Sequence, residues 1–563
     1  MPLSERKRIT GTGILLILLV LLTRLSLVSS MLFEFDSVDF AVATFRYSLE
    51  QVTPHFPGYI LHVLFAKLIL LTISDINAAF VTISVLLSIG SVLYLWRAGA
   101  VLRGERVAVI VAAIWLVLPI FWFYGLVATV YEYEAFFACA FLYHGLKVYR
   151  GERPELHYLL LGILLSLATG ARQSSFVFFA PALLFLALVG KVKAKAFFSA
   201  VAAFALVSVC WVLPLLSLSG GWDAYWHAIR AEHIYQSQSV LFGNSFKEHF
   251  KTIAKVLGYL VGAIIPLLPV LLYCLLTNFS ILLIFFNEQR KKPIVQYISL
   301  IGLPAMVFYL AIFFMKAGYL LNVLPGIVLS TAVILDQTAI RMAKRSKERS
   351  GDRLLLSRPL ITKYSSILTL CIVLPEILWF TAGSVLSRKE ATNDLFTNDS
   401  FGSSSASPTS GSTLSTYFDH VLSFSTLSTI KATDELHTSV LAALKQEERT
   451  HGTTTLLSTW WHRWGYYYLP EATIYDIRDY PGTETAPMGV SNQYFRKAIN
   501  YREIEVPKNE NVILMLRRDH PAFNEVANQV HLERIVMPEY LDLWRVTDSV
   551  FTLRWKDKTF IKK

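Results

Sequence analysis

Two aspartates, Asp36 and Asp39, follow the first apolar run of the chain at a spacing of three residues. If this stretch is helical, the spacing puts both carboxylates on one face. A carboxylate held where a chain leaves a bilayer can take the proton of a hydroxyl, and a second one beside it can orient the acceptor or tune the first group's pKa. A solvated helix start would carry the same residues. Pro54, Pro57 and Gly58 follow and enforce a bend. An anionic leaving group at the same face would need positive charge. The basic residues placed there are Arg172, Lys316 (with Tyr319 after it), Arg230 and His233. Arg172 and Lys316 sit at the ends of apolar runs, where snorkelling to headgroups is the competing explanation. A solvated loop explains Arg230 and His233 equally well. Glu132 and Glu134 open another run at this face. Two positions apart on a helix, they cannot both face one way. One is a substrate-binding candidate, and the other then serves as a favourable charge at a helix N-terminus. His55 and His62 read first as packing or interfacial residues, and His55 is also carried as a substrate-binding candidate.

Those residues need a scaffold. The chain has 563 residues, 54% hydrophobic and 17% charged, with mean hydropathy +0.48. Apolar runs fall near 11–31, 77–96, 107–126, 131–147, 157–171, 174–190, 197–216, 256–286, 294–314, 319–337 and 364–384. Runs of about 20 residues cross a bilayer as helices, which predicts a polytopic α-helical membrane protein with about 11 transmembrane helices. The first run, interrupted by Arg24, is read as an uncleaved span rather than a removed signal peptide.

Arg6, Lys7 and Arg8 precede the first run, and Lys and Arg crowd alternate loops at 97–106, 147–153, 191–195, 290–292 and 341–353. Basic loops stay cytoplasmic, so the N-terminus and these loops are placed inside. Residues 32–76 then lie outside as one long loop. That holds only if the short apolar segment 58–73 does not span, so it is expected to lie in the interface or to re-enter. An odd number of spans leaves the C-terminus outside. The net charge of +11 belongs to those loops, so a membrane partner is expected and a nucleic-acid partner is not.

Residues 1–385 are thus read as the membrane domain. Residues 386–417 form a linker, Ser/Thr/Asn/Gly-rich over 392–416. Residues 418–563 form an extracytoplasmic mixed α/β domain, with a helix over 436–449 and strands at TTTLLSTW, ATIYDI, NVILMLRR, LDLWRVT and VFTLRWK. Its aromatic stretch WWHRWGYYYLPE (460–471) reads as core, with sugar stacking as the alternative. The four cysteines, Cys139, Cys210, Cys274 and Cys371, all fall in apolar runs, so neither a disulfide scaffold nor a zinc spacing is present.

FDSVDF (35–40) followed by PHFPGY (54–59) resembles the first outer loop of the GT-C membrane glycosyltransferases, which carry a D-S-x-[E/D] signature and then H-P-P-G-Y. Protein O-mannosyltransferases and aminoarabinose transferases have an analogous acidic pair. VYEYEAFF (130–137), LATGARQSSFVFFAPALL (167–184), SGGWDAYWHA (219–228) and KAGYLLNVLPGIVL (316–329) resemble later elements in the same order. Phe56 replaces the first proline of the family's pair, and Thr129 stands where a glutamate is common. The resemblance implies a sugar on a polyprenyl phosphate as donor, and a protein, lipid or glycan hydroxyl as acceptor. It implies inverting transfer at the outer face. By position Asp36 matches the motif's first acidic residue and is the expected base, with Asp39 supporting it. Arg172 and Lys316 are expected at the donor phosphate. Relatives that use a lipid monophosphate need no metal for the chemistry, whereas the oligosaccharyl branch uses a divalent ion. With no wider ligand cluster than Asp36 and Asp39, no metal and no other cofactor is expected here. Two other classes are weighed beside this one: a polytopic transporter, and a non-catalytic glycan-assembly protein of the same fold. A transporter should carry paired halves with ionisable groups at mid-depth, whereas here those groups gather at one face.

Overall fold

The computed structural model describes residues 3–49, 53–239, 253, 257–277, 292–311, 316–349, 358–382, 426–458, 461–476, 503–516, 522–535, 543–555 and 558–563. Each of the apolar runs holds a helix or a helix pair. In chain order the first elements are α1 (Leu3–Leu25), α2 (Phe35–Ala43), α3 (Ile60–Ile69) and α4 (Ile76–Arg103). Then come α5 (Glu105–Val117), α6 (Pro119–Tyr124), α7 (Tyr131–Tyr149), α8 (Pro154–Ala171), α9 (Ser175–Leu188), α10 (Ala194–Leu218) and α11 (Trp222–Ser239). The run at 107–126 is split into α5 and α6 by Pro119 at the first position of the second helix, where its missing N–H costs nothing. Leu257–Ile264 and Leu268–Thr277 form a pair bent by 78°. Helices Pro293–Ala311, Leu324–Arg349 and Arg358–Ala382 complete the bundle. Among the described residues six helices are long and apolar enough to cross a membrane, or seven if the bent pair counts as one. The chain is a polytopic helical membrane protein.

The segment 58–73 holds α3, a helix of 10 residues. At ~1.5 Å per residue this is roughly half the ~30 Å hydrocarbon thickness. It lies against α2, α4, α8 and α10. His62 on its inner face is fully buried against Phe40, Phe80 and Tyr133, a packing residue.

Two ends of the bundle can be told apart. Asn77, at the start of α4, donates its amide to the Ser29 carbonyl at 2.8 Å, and Ser29 donates its hydroxyl to Asp434 of the C-terminal region at 2.6 Å. The other end of this 28-residue helix lies ~40 Å away at ~1.5 Å per residue. There Arg150 donates to the Leu102 carbonyl at 2.9 Å, and Arg106 pairs with Asp336 at 2.8 Å. The basic loops at 97–106 and 147–153 therefore share one end, and the C-terminal region sits at the other.

The C-terminal region is mixed α/β. Helix Leu427–His451 buries Ile430, Thr433, His437, Val440, Leu444 and Glu447, the three-and-four spacing of a one-sided helix. The strands are β1 (Thr454–Ser458), β2 (Thr473–Asp476), β3 (Glu503–Glu505), β4 (Asn511–Met515), β5 (Leu532–Ile535), β6 (Leu543–Val546), β7 (Phe551–Trp555) and β8 (Lys558–Lys562). One sheet has the order β2-β1-β4-β6-β5, and the other β3-β8-β7. β1 runs parallel to both β2 and β4, with Leu456 opposite Ile474 and Ile513. β1 and β4 are buried at every residue, which is why NVILM reads as a continuous apolar run rather than an alternation. The linker expected at 386–417 lies outside the described residues.

Candidate active site

The acidic loop folds as a helix because it is capped and pinned. The Glu34 backbone N–H donates to the Ser37 hydroxyl at 3.2 Å, and that hydroxyl donates to the Ala128 carbonyl at 2.5 Å. The start of α2 is thereby fastened to the segment that leads into α7. Asp36 and Asp39 then lie on one side of α2 and face different cations. Lys316 donates to Asp36 Oδ2 at 3.1 Å and to Glu34 Oε2 at 3.3 Å. Arg463, from the C-terminal region, donates to Asp39 Oδ2 at 2.6 Å. His55 stands between them, its Nδ1 4.0 Å from Asp36 and 3.7 Å from Asp39.

Exposure divides the two carboxylates. The Asp36 side chain keeps 29% of its surface accessible, and that of Asp39 keeps 1%. Only Asp36 can meet an incoming hydroxyl directly. Their electrostatics also differ. Burial alone would push the Asp36 carboxyl up; Lys316, followed by His55 and Arg463, outweighs it and holds the group below the usual carboxylate range. For Asp39 burial wins and pushes the carboxyl up, although Arg463 and His55 oppose it. Burial would lower the Lys316 ammonium, but Asp36 and Glu34 raise it well above its ordinary value.

A second group adjoins the first. Lys316 opens a 3₁₀ turn, Ala317–Asn322, which also carries Tyr319 and Asn322. A Cβ on Gly318 would come within 2.3 Å of the Tyr131 ring, so only glycine lets this turn press so closely on α7. Arg172 follows α8 directly. It donates to Glu134 Oε1 at 3.1 Å, and Asn322 donates to Glu134 Oε2 at 2.8 Å. The guanidinium carbon of Arg172 lies 4.0 Å from the centre of the Tyr319 ring, which stacks on Tyr309 at 4.8 Å. Gln173 donates to the Tyr225 hydroxyl at 2.7 Å and to the Pro57 carbonyl at 3.4 Å. It ties the bend at 54–58 to α11. Gly58 in that bend has φ +102°, and a Cβ there would come within 2.5 Å of the Tyr47 hydroxyl.

Asp36, Asp39, His55 and Lys316 thus meet in one cluster, and Arg172, Glu134 and Tyr319 in the adjoining one. The remaining two candidates stand apart. Glu132 is fully buried on α7, where it feels Arg24 of α1 rather than Lys316. Arg230 is exposed on α11, its guanidinium 5.7 Å from the Trp226 ring. The side chain of His233 lies outside the described residues. Three contributors have no counterpart in the sequence-based set: Glu34, Asn322 and Arg463. The signal for Arg463 was a basic residue inside the aromatic stretch 460–471. Its neighbours Trp461 and Trp464 are buried, at 0% and 4% exposure, and Tyr466, Tyr467 and Tyr468 are partly buried against the same core.

Asp36, Asp39 and His55 each offer one ligand atom, all within 4.8 Å of one another. Two carboxylates and an imidazole form a donor set that divalent ions accept. Lys316 and Arg463 already pair with both carboxylates, so an ion there would have to enter against two positive charges.

No protein-family model matches the sequence, and no curated protein matches it significantly. Solved structures do match. ArnT from Cupriavidus metallidurans, in its structure bound to undecaprenyl phosphate, aligns over 98% of this chain and 99% of its own, with a TM-score of 0.52 at 11% identity. The chain has an ArnT-like fold. The Archaeoglobus fulgidus oligosaccharyltransferase, in the structure tethered with an acceptor peptide containing the NVT sequon, aligns over 96% of this chain and 74% of its own. Its TM-score is 0.50 at 11% identity. The shared fold covers the membrane bundle and the C-terminal region together, so the acidic loop and Arg463 belong to one architecture rather than to two joined pieces.

Proposed function

We propose that this protein transfers a sugar from a polyprenyl-phosphate-sugar donor to a hydroxyl acceptor, with inversion at the anomeric carbon. The observation that carries this reading is the contact between Asp36 and Lys316 at 3.1 Å, a half-exposed carboxylate beside an ammonium at the end of the bundle where the chain leaves the apolar runs. Asp36 takes the proton of the acceptor hydroxyl as its oxygen attacks the anomeric carbon. The bond from that carbon to the phosphate oxygen breaks, and the polyprenyl phosphate leaves with one more negative charge. Lys316, with Arg172 behind it, supplies the positive charge that this step demands. Asp39 and His55 orient the acceptor side.

The donor prepares the base in this scheme. Lys316 is what chiefly holds the Asp36 carboxyl low. A donor phosphate that draws Lys316 toward itself releases Asp36 to become a stronger base. The tail of the donor would lie between bundle helices beside α3. No metal is assigned a step.

The topology that goes with this function has about 11 spans, a cytoplasmic N-terminus and an extracytoplasmic C-terminal domain over 418–563, joined to the membrane domain 1–385 by the linker 386–417. Single cysteines introduced at Arg103 and in 418–563 should react with an impermeant thiol reagent from opposite faces. Reaction of both from one face would contradict it.

The function is tested by giving purified protein a panel of polyprenyl-phosphate sugars together with candidate acceptors and following release of polyprenyl phosphate. Turnover of one donor, with the sugar recovered in inverted linkage, is the expected result. Retained binding of polyprenyl phosphate with no turnover of any donor would favour the non-catalytic protein of the same fold.

A further inference from the structure

The chemistry proposed above uses side chains from the membrane bundle, yet one cation at the cluster comes from far along the chain. Arg463 lies on a helix (His462–Tyr468) of the C-terminal region, more than 420 residues after Asp39, and binds Asp39 Oδ2 at 2.6 Å. We infer that Arg463 is a positioning residue of the active site: the C-terminal region docks so that this guanidinium holds the buried Asp39 carboxylate charged and fixed beside His55. This rests on the proposed transfer for its catalytic consequence but not for its charge consequence.

The docking is built from several bonds aimed at residues 29–39. Asp434 accepts from the Ser29 hydroxyl at 2.6 Å and from the backbone N–H groups of Ser30 at 2.7 Å and Met31 at 3.3 Å. Trp464 donates its indole N–H to the Leu32 carbonyl at 2.6 Å, and the Leu32 N–H donates to the Tyr468 hydroxyl at 3.1 Å. Phe35 packs on Trp464, ring centres 4.9 Å apart, and the Arg463 guanidinium carbon lies 5.1 Å from the centre of the Phe35 ring. The Arg463 side chain is 11% exposed and that of Asp39 is 1% exposed. A pair so far out of water is either matched or it changes protonation.

The other groups facing Asp39 do not replace Arg463. Asp36, on the same helix, carries the same charge, and His55 is 3.7 Å away and charged only if protonated. Lys316 is engaged by Glu34 and Asp36. Without Arg463, Asp39 loses its closest cation and takes up a proton at neutral pH. It then ceases to act as a charged partner for His55.

The test uses the full-length protein and dicyclohexylcarbodiimide, an apolar reagent that adds to protonated carboxyls, with labelling located by mass spectrometry of the peptide carrying α2. At neutral pH the wild type should leave Asp39 unlabelled. Arg463→Gln should label it, and Arg463→Lys should restore protection. Asp434→Asn loosens docking without touching either charge and should give intermediate labelling. Asp39→Asn removes the site and controls for assignment. Equal labelling in wild type and Arg463→Gln would overturn the inference, as would failure of Arg463→Lys to protect. Should Arg463→Gln not fold, Asp434→Asn still decides, because loosened docking must raise Asp39 labelling at neutral pH above that of the wild type, and equal labelling would overturn the inference. Where a donor is turned over, Arg463→Gln should lower kcat at neutral pH with recovery toward higher pH, and leave the donor KM nearly unchanged. If labelling changes as expected but no donor is ever turned over, the charge role stands and the transfer function fails.

Discussion

Asp36→Asn is expected to lower transfer by roughly two to four orders of magnitude, the range in which removal of a general base is felt, while polyprenyl phosphate still binds. The substitution keeps the size of the side chain and an oxygen that can accept from Lys316, so the 3₁₀ turn at 317–322 keeps its place. It removes only basicity. Asp39→Asn should cost less turnover, because an amide still accepts one hydrogen bond from Arg463. The difference in exposure is the basis of this ordering: Asp36 is reachable at 29% and Asp39 is sealed at 1%. Single-turnover kinetics of the two variants checks it. Near-normal turnover in Asp36→Asn with loss in Asp39→Asn would reverse the two roles. Normal turnover in both would leave this loop without a catalytic part.

The pH profile follows from the same pair. Asp36 has a depressed pKa, so it is ionised across the neutral range and titrates only in strong acid. Asp39 has a raised one, so of the two it is the first to be protonated as pH falls. Activity should therefore decline on the acid side through Asp39 before Asp36 is affected, and Asp39→Asn should remove that first decline.

The second large effect belongs to Lys316. Lys316→Gln should weaken binding of polyprenyl phosphate by about tenfold or more, since a hydrogen bond to a charged partner contributes roughly 1.5–3 kcal/mol. Turnover should fall further, because the charge on the leaving phosphate grows as the bond breaks. The same change leaves Glu34 and Asp36 side by side without their shared cation, and one of them then takes a proton. Lys316→Arg keeps the charge and should recover part of the binding. Arg172→Gln is the instructive comparison. Arg172 is 7% exposed and bound to Glu134, and removing one partner of a buried pair destabilises by about 3–5 kcal/mol. Its variant should show a lowered melting temperature as well as weaker binding, whereas Lys316→Gln should lose binding with little change in melting. Isothermal binding and thermal unfolding in detergent separate the two. Unchanged affinity in both variants would leave Lys316 as a purely structural partner of Glu34 and Asp36.

Much of the architecture is legible in the chain because a bilayer restricts what can occur. Apolar runs of span length and the alternation of basic loops mark the helices and their ends, and each run does hold a helix. The segment 58–73 is legible through the same constraint, since treating it as a span would scramble every later loop. In the C-terminal region the strands with continuous or alternating apolar residues, such as NVILM and FTLRW, stand out. β3, β5 and β8 do not. EIE is too short to show a period, LERI has its two middle residues exposed, and KTFIK is bracketed by lysines.

The acidic pair, Lys316 and Arg172 are legible because charge is rare at the ends of apolar runs. Glu132 shares that property, yet it faces Arg24 inside the bundle; helix rotation decides this, and spacing alone gives only that Glu132 and Glu134 diverge. Arg463 is hidden for a different reason. Its partner is hundreds of residues away, and the aromatic stretch around it carries the ordinary signature of a core. Glu34 gains its cation only when the turn carrying Lys316 folds against the start of α2.

Native mass spectrometry of wild type and Asp36→Asn, purified from cells that make polyprenyl-phosphate sugars, examines the proposed chemistry at its source. The wild type should carry polyprenyl phosphate, the product that remains after transfer. Asp36→Asn should carry the same lipid with its sugar still attached, because the donor binds and the base is missing. Polyprenyl phosphate absent from both proteins, or the same sugar-free lipid in both, would contradict a polyprenyl-phosphate-sugar transferase that uses Asp36 as its base.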